Sequence, residues 1–115
     1  MKISNIKKLK DLDKLTIKNK KYRKSLYRST NLEFVLMSIP VDKDIPLEVH
    51  KTEDQFIRVE EGECKIVIGK TDKKTSYLKK NDAVIIPQGL WHQIFNTGNI
   101  PLKIYVIYAP SEKEH

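Results

Sequence analysis

Residues 81 to 96 read Asn81-Asp-Ala-Val-Ile-Ile-Pro-Gln-Gly-Leu-Trp-His-Gln-Ile-Phe-Asn96. A short apolar strand, Ala83 to Ile86, meets Pro87, which ends it by removing a ladder donor. Gly89 then supplies the backbone freedom of a tight turn. In the strand that follows, side chains alternate, so His92, Ile94 and Asn96 share one face while Gln93 and Phe95 share the other. One histidine on such a face is more often a satisfied core or surface residue than a ligand, so a functional reading needs a partner.

That partner lies upstream, in the stretch from Pro46 to Gly62, where Glu48 and His50 are two residues apart and Gln55 opens a strand closed by a Glu-Glu-Gly-Glu turn. Period two places Glu48 and His50 on one face. With these residues in view the chain resembles the cupin superfamily, whose first motif runs G-x5-H-x-H-x3,4-E-x6-G and whose second runs G-x5-P-x-G-x2-H-x3-N. The second motif matches at Pro87, Gly89, His92 and Asn96, with Asn81 where the family has glycine. In the first, His50 and Gly62 match, while Glu48 stands at the first histidine and Gln55 at the glutamate. The resemblance implies an all-β jelly-roll barrel, a double-stranded β-helix, with a metal site at Glu48, His50, Gln55 and His92.

The departures from the motif keep the charge. The usual set of three histidines and one glutamate carries one negative charge; here the carboxylate has moved to Glu48 and a neutral amide, Gln55, fills its place. Two nitrogens and two oxygens with open positions suit a divalent first-row ion, and the harder donors favour Mn, Fe, Ni or Zn without choosing among them. An amide oxygen is a weaker donor than a carboxylate, so the affinity expected is below that of the usual set. The alternative is an empty site in which Glu48 and Gln55 hydrogen-bond to the histidines.

At 115 residues the chain is expected to form one domain. The single cysteine, Cys64, cannot form an internal disulfide and reads as a plain strand residue rather than a nucleophile. The N-terminus has no apolar run resembling a signal peptide, and no segment approaches the ~20 apolar residues of a membrane span. A cytoplasmic protein without membrane contact is the expectation.

Charge is unevenly spread. Residues 1 to 30 hold eleven Lys or Arg against Asp11 and Asp13, whereas residues 31 to 115 hold eleven against thirteen acids. Ile3, Ile6, Leu9 and Leu12 recur at helical or turn-like intervals, followed by Leu15 and Ile17. This predicts a partly helical basic arm, residues 1–21, packing an apolar edge on the barrel with its lysines in water. Only Arg23, Arg28, Tyr22 and Tyr27 interleave as a nucleic-acid platform would require, so nucleic acid is not an expected partner.

Beyond the arm, a barrel is expected over residues 22–110 and a polar tail over 111–115. Its strands are read at Tyr22 to Arg28, Leu32 to Ile39, Gln55 to Glu60, Glu63 to Lys70, Thr75 to Leu78, Ala83 to Pro87, His92 to Asn96 and Leu102 to Tyr108. Short, evenly spaced strands with Asn, Asp, Gly and Ser between them argue a sandwich or barrel. Ile57, Val59 and Ile94 share parity with the ligand candidates and read as pocket walls, with Trp91, Met37, Tyr105 and Tyr108 as further contacts. Arg58 has the opposite parity and reads as an outer-face residue paired with an acid; Glu53 and Asp54 read as solvated loop acids.

Three classes of function fit. A metal-dependent enzyme would hold a small organic or sugar-like substrate through the ion's open positions; small cupins look like dioxygenases, decarboxylases, lyases or isomerases, and relatives with the Glu-x-His-x4-Gln pattern are often labelled similar to mannose-6-phosphate isomerases. A non-catalytic cupin would bind a small molecule, with or without metal. An interaction protein would use the basic arm. Cupins usually pair through outer sheet faces, so the resemblance also implies a homodimer.

Overall fold

The structure is a computed structural model that describes residues 6–111. Within it the order of elements is α1 (Leu12–Lys18), β1 (Arg23–Arg28), β2 (Glu33–Ile39), β3 (Asp44–Glu48), β4 (Asp54–Glu61), β5 (Glu63–Ile68), β6 (Lys74–Lys79), β7 (Ala83–Ile86), β8 (His92–Asn96) and β9 (Leu102–Ala109). The strands form a five-stranded sheet, β1-β2-β9-β4-β7, and a four-stranded sheet, β3-β8-β5-β6, with every pairing antiparallel. This is the jelly-roll arrangement expected from the sequence.

The core lies between the inner faces. Val35, Met37 and Ile39 of β2, Ile57 and Val59 of β4, Ile66 of β5, Ile94 of β8 and Leu102, Ile104 and Val106 of β9 are all buried in one cluster. Ile57, Val59 and Ile94, expected as pocket walls, belong to this core. All of β2 is buried, because its outer face is covered too: Phe34 stacks on Tyr105 with centroids 5.0 Å apart, and Tyr105 faces Phe56 at 6.2 Å. A strand covered on both sides reads as a continuous apolar run. Tyr105 is thereby an outer-face residue, three positions from the inward Tyr108 and so of opposite parity.

One strand was not legible. β3 contains Pro46 between Asp44 and Glu48, a composition that argues against a strand. It survives because β3 is the edge of its sheet, where a missing N–H strands no neighbour, and because its register against β8 shifts between Ile45 and Glu48. The two turns nearest the motifs follow from backbone demands. Asn81, at the family's glycine position, has φ 76°, a left-handed conformation that asparagine tolerates, and its Oδ1 accepts from Arg58 Nη2 at 3.3 Å. Gly62 has φ 90°, and a Cβ there would meet the Pro101 carbonyl oxygen at 3.1 Å. Arg58 also pairs with Glu60 at 2.8 Å, as its outer-face parity implies.

The N-terminal segment follows expectation in part. Helix α1 packs on β9 and β4, with Leu9, Leu12 and Ile17 half-buried, but Ile6 and Leu15 are exposed, and the buried positions are Thr16 and nearby Asn19. Thr16 donates to the Leu12 carbonyl at 2.7 Å, and the Asn19 side chain bridges both backbone groups of Lys21, so these small polar residues bury without stranding a hydrogen-bonding group. Ile3 lies outside the described residues. Among the described residues no helix is long and apolar enough to cross a membrane.

Asn96 clamps the end of β8. Its Nδ2 donates to the carbonyls of Ile39, Pro40 and Ile100 at 3.0, 3.3 and 2.9 Å, and its Oδ1 accepts from the Gly98 N–H at 2.9 Å. Its place in the motif is therefore structural. Asn96→Ala strands buried partners on two loops and is expected to cost about 2–3 kcal/mol, read as a lower urea midpoint at unchanged slope.

Candidate metal centre

Glu48, at the end of β3, lies opposite His92 at the start of β8. His50 follows two residues beyond β3, and its carbonyl accepts from the Gly89 N–H at 2.8 Å. That bond explains the Pro-x-Gly turn: Gly89 has φ 83°, and a Cβ there would meet nothing within 4 Å, so the backbone conformation and not crowding asks for glycine. Adjacent, the Gln88 N–H donates to Asp54 at 3.0 Å. The turn between β7 and β8 is thus tied to both flanks of the first motif.

The three side chains converge. His50 Nε2 is 3.2 Å and His92 Nε2 3.4 Å from the same oxygen, Oε1 of Glu48, and the imidazole centroids are 5.4 Å apart. One ligand atom from each of Glu48, His50 and His92 lies within 4.8 Å of the others, a group that could hold a metal ion. Both histidines are buried, while Glu48 is partly open at 36% of its side chain. His50 Nδ1 faces Glu53 Oε1 at 3.9 Å, and the ring meets that of Tyr108 edge-on at 5.3 Å. Glu53, read from sequence as a solvated loop acid, is buried at 5%.

The tautomer of His92 follows from its partner. Nδ1 lies 3.0 Å from the Leu90 carbonyl, which can only accept, so Nδ1 carries the hydrogen and neutral His92 presents the Nε2 lone pair. Nε2 is buried without a hydrogen-bond partner, as is Oε1 of Gln55. Gln55, 3% exposed, stands on β4 opposite Tyr108. A buried acceptor without a donor is costly in a dry interior, and at His92 Nε2, 3.4 Å from Glu48 Oε1, a cation is one way to satisfy it. The donor set therefore fits a divalent ion.

Trp91 lies under Lys70 Nζ, 4.4 Å from its ring centroid, and Met37 is in the core cluster that also holds Tyr108. Cys64 is buried, and burial with the charge of Asp82 pushes its thiol up to about 11, so it is inert as the sequence implied.

A family model described as a cupin domain matches residues 35–108, and the chain belongs to that family. It is 39% identical to BH2720 of Bacillus halodurans, whose crystal structure superposes with a TM-score of 0.89 over 96% of this chain and 86% of that one. Among curated proteins it is 36% identical to the uncharacterised protein YrkC of Bacillus subtilis over 87% of this chain and 55% of YrkC. It is also 39% identical to an uncharacterised protein of Acanthamoeba polyphaga mimivirus over 84% of this chain and 61% of that protein. The chain thus spans little more than half the length of these curated relatives. KdgF from Halomonas shares the fold at 18% identity, with a TM-score of 0.69 over 79% of each chain.

Burial works to raise the pKa of Glu48, but the imidazole contacts, foremost that of His50 Nε2 at 3.2 Å, outweigh burial and hold it down, from 4.5 to about 2. A depressed carboxyl pKa favours the folded state above the unfolded value and loses that contribution as pH falls from about 4.5 to about 2. Partial exposure of Glu48 keeps the stabilisation small. In metal-free protein the Glu48 carboxyl carbon should titrate near 2 by 13C NMR, and in His50→Gln it should move up toward the ordinary value.

Proposed function

We propose that the protein holds a divalent first-row ion through Glu48, His50, Gln55 and His92 and uses the remaining coordination positions to bind a small organic molecule. The observation that carries this reading is the convergence of Glu48, His50 and His92 within 4.8 Å, with His92 Nε2 buried and left without a donor beside the Glu48 carboxylate; Gln55, whose Oε1 is likewise buried without a donor, is the fourth candidate. An interior built for hydrogen bonding alone would supply a donor to His92 Nε2; a cation takes that donor's place. The Leu90 carbonyl fixes His92 with Nε2 toward the site, and Glu53 stands behind His50, an arrangement that orients imidazole ligands. Glu48 supplies the single negative charge among the four ligands, so a divalent ion leaves a net positive site that favours oxygen donors from a ligand. When bound, such an ion supplies Lewis acidity to an oxygen of that ligand.

Elemental analysis of protein purified without an affinity tag should find Mn, Fe, Ni or Zn at near one ion per chain. His92→Leu should abolish metal-dependent stabilisation, so that its thermal midpoints with chelator and with saturating ion coincide; in wild type, ion at a hundredfold excess over Kd adds about 2.7 kcal/mol. Identical midpoints in the wild type sink the reading.

Gln55→Glu places a second carboxylate in a site built around one. Metal-free protein should be less stable than wild type through like-charge repulsion, and the metal-induced rise in midpoint should be larger. If metal shifts neither midpoint, Gln55 is no ligand.

A further inference from the structure

Glu33 opens β2 on its inner face, 2% exposed, opposite Tyr108. A buried carboxylate needs partners, and β1 supplies three. Arg28 Nη1 meets Oε1 at 2.7 Å, Ser25 Oγ donates to Oε2 at 2.9 Å, and Arg23 Nη2 stands 3.5 Å from Oε1. Simple alternation would put Arg23 and Arg28, five positions apart, on opposite faces. They share one face because the register shifts between Ser25 and Tyr27, a bulge that turns Arg28 back inward. With Arg28 and Ser25 each holding one carboxylate oxygen, Glu33 keeps both oxygens satisfied when Arg23 turns away.

Arg23 also shares a neighbour, Tyr108, with the candidate metal centre. Its guanidinium carbon is 6.0 Å from the centroid of the Tyr108 ring, which also meets His50 at 5.3 Å. Tyr22, the residue before it, has its phenol pKa raised by burial and then by the charges of Glu48 and Asp44. Arg23, Tyr108 and His50 are thus consecutive neighbours leading to the cluster, and the Arg23 side chain is 39% exposed, open enough to meet an incoming molecule.

We infer that Arg23 is the anion-recognising residue of this site, and that its ligand is a small organic acid with a carboxylate held by the Arg23 guanidinium while a neighbouring oxygen meets the ion. The inference rests on the metal-site reading and adds to it the substrate class. A planar guanidinium matches a carboxylate with two parallel N–H donors, which a point charge cannot do. A carboxylate rather than a phosphate fits because Arg28 stays on Glu33 at 2.7 Å, so that of this pair Arg23, at 3.5 Å, is the one to turn toward a ligand. Arg23 binds and orients; it transfers no proton.

The test is calorimetric titration of L-lactate and its neutral analogue lactamide into protein loaded with whichever of Mn(II), Ni(II) or Zn(II) it binds. Wild type should bind lactate more tightly than lactamide. Arg23→Gln should weaken lactate at least tenfold, leave lactamide unchanged and leave ion affinity within about twofold. Arg23→Lys, which keeps the charge and loses the fork, should fall between; it also serves if the glutamine variant does not fold. Lactate binding that is unchanged in Arg23→Gln or Arg23→Lys, an equal loss of lactate and lactamide, or a wild type that does not prefer lactate overturns the inference while leaving the metal reading intact. A wild type that binds none of the three ions overturns both.

Discussion

One backbone hydrogen bond, from the Gly89 N–H to the His50 carbonyl, joins the turn before β8 to the loop after β3. Together with the pairing of Glu48 opposite His92, it fixes where two imidazoles and a carboxylate meet. Side chains on separate loops would lose the site to backbone fluctuation; here the ladder and the turn hold three ligand atoms within 4.8 Å of one another. The left-handed Gly89 and the edge position of β3, which tolerates Pro46, are consequences of bringing these two segments together.

The arrangement sets folding against function. A fully buried His92 whose Nε2 has no donor, and a Gln55 whose Oε1 has none, are costs that an apolar core would not carry. The surrounding structure offsets them: the inner faces of both sheets are packed with Ile, Val and Leu, and the outer face of the larger sheet is covered by α1 and the Phe34, Tyr105 and Phe56 rings. Sites that break local rules of polar satisfaction are where a ligand is to be looked for.

Charge on the opposite wall follows a similar logic. Glu33 is buried, and a bulge in β1 brings a second arginine to the same face, so the carboxylate has more donors than its two oxygens need. Redundant pairing of this kind lets one cation exchange partners without leaving a buried charge bare, a condition that a simple ion pair could not meet.

By itself the sequence determined the strands with clear alternation, the parity that sends His92, Ile94 and Asn96 inward, the outer placement of Arg58, and the ligand types at Glu48, His50 and His92, because period two and turn chemistry are local properties. It could not show β3, since Pro46 in an edge strand looks like a loop until a neighbour is there to pair with. Nor could it show that Glu53 is buried, that Asn96 clamps loops, that Thr16 rather than Leu15 packs inward, or that Arg23 and Arg28 share a face across a bulge. Those outcomes depend on contacts between residues far apart in the chain, and only the tertiary structure, by closing the two sheets on each other, decides which polar groups are left without water.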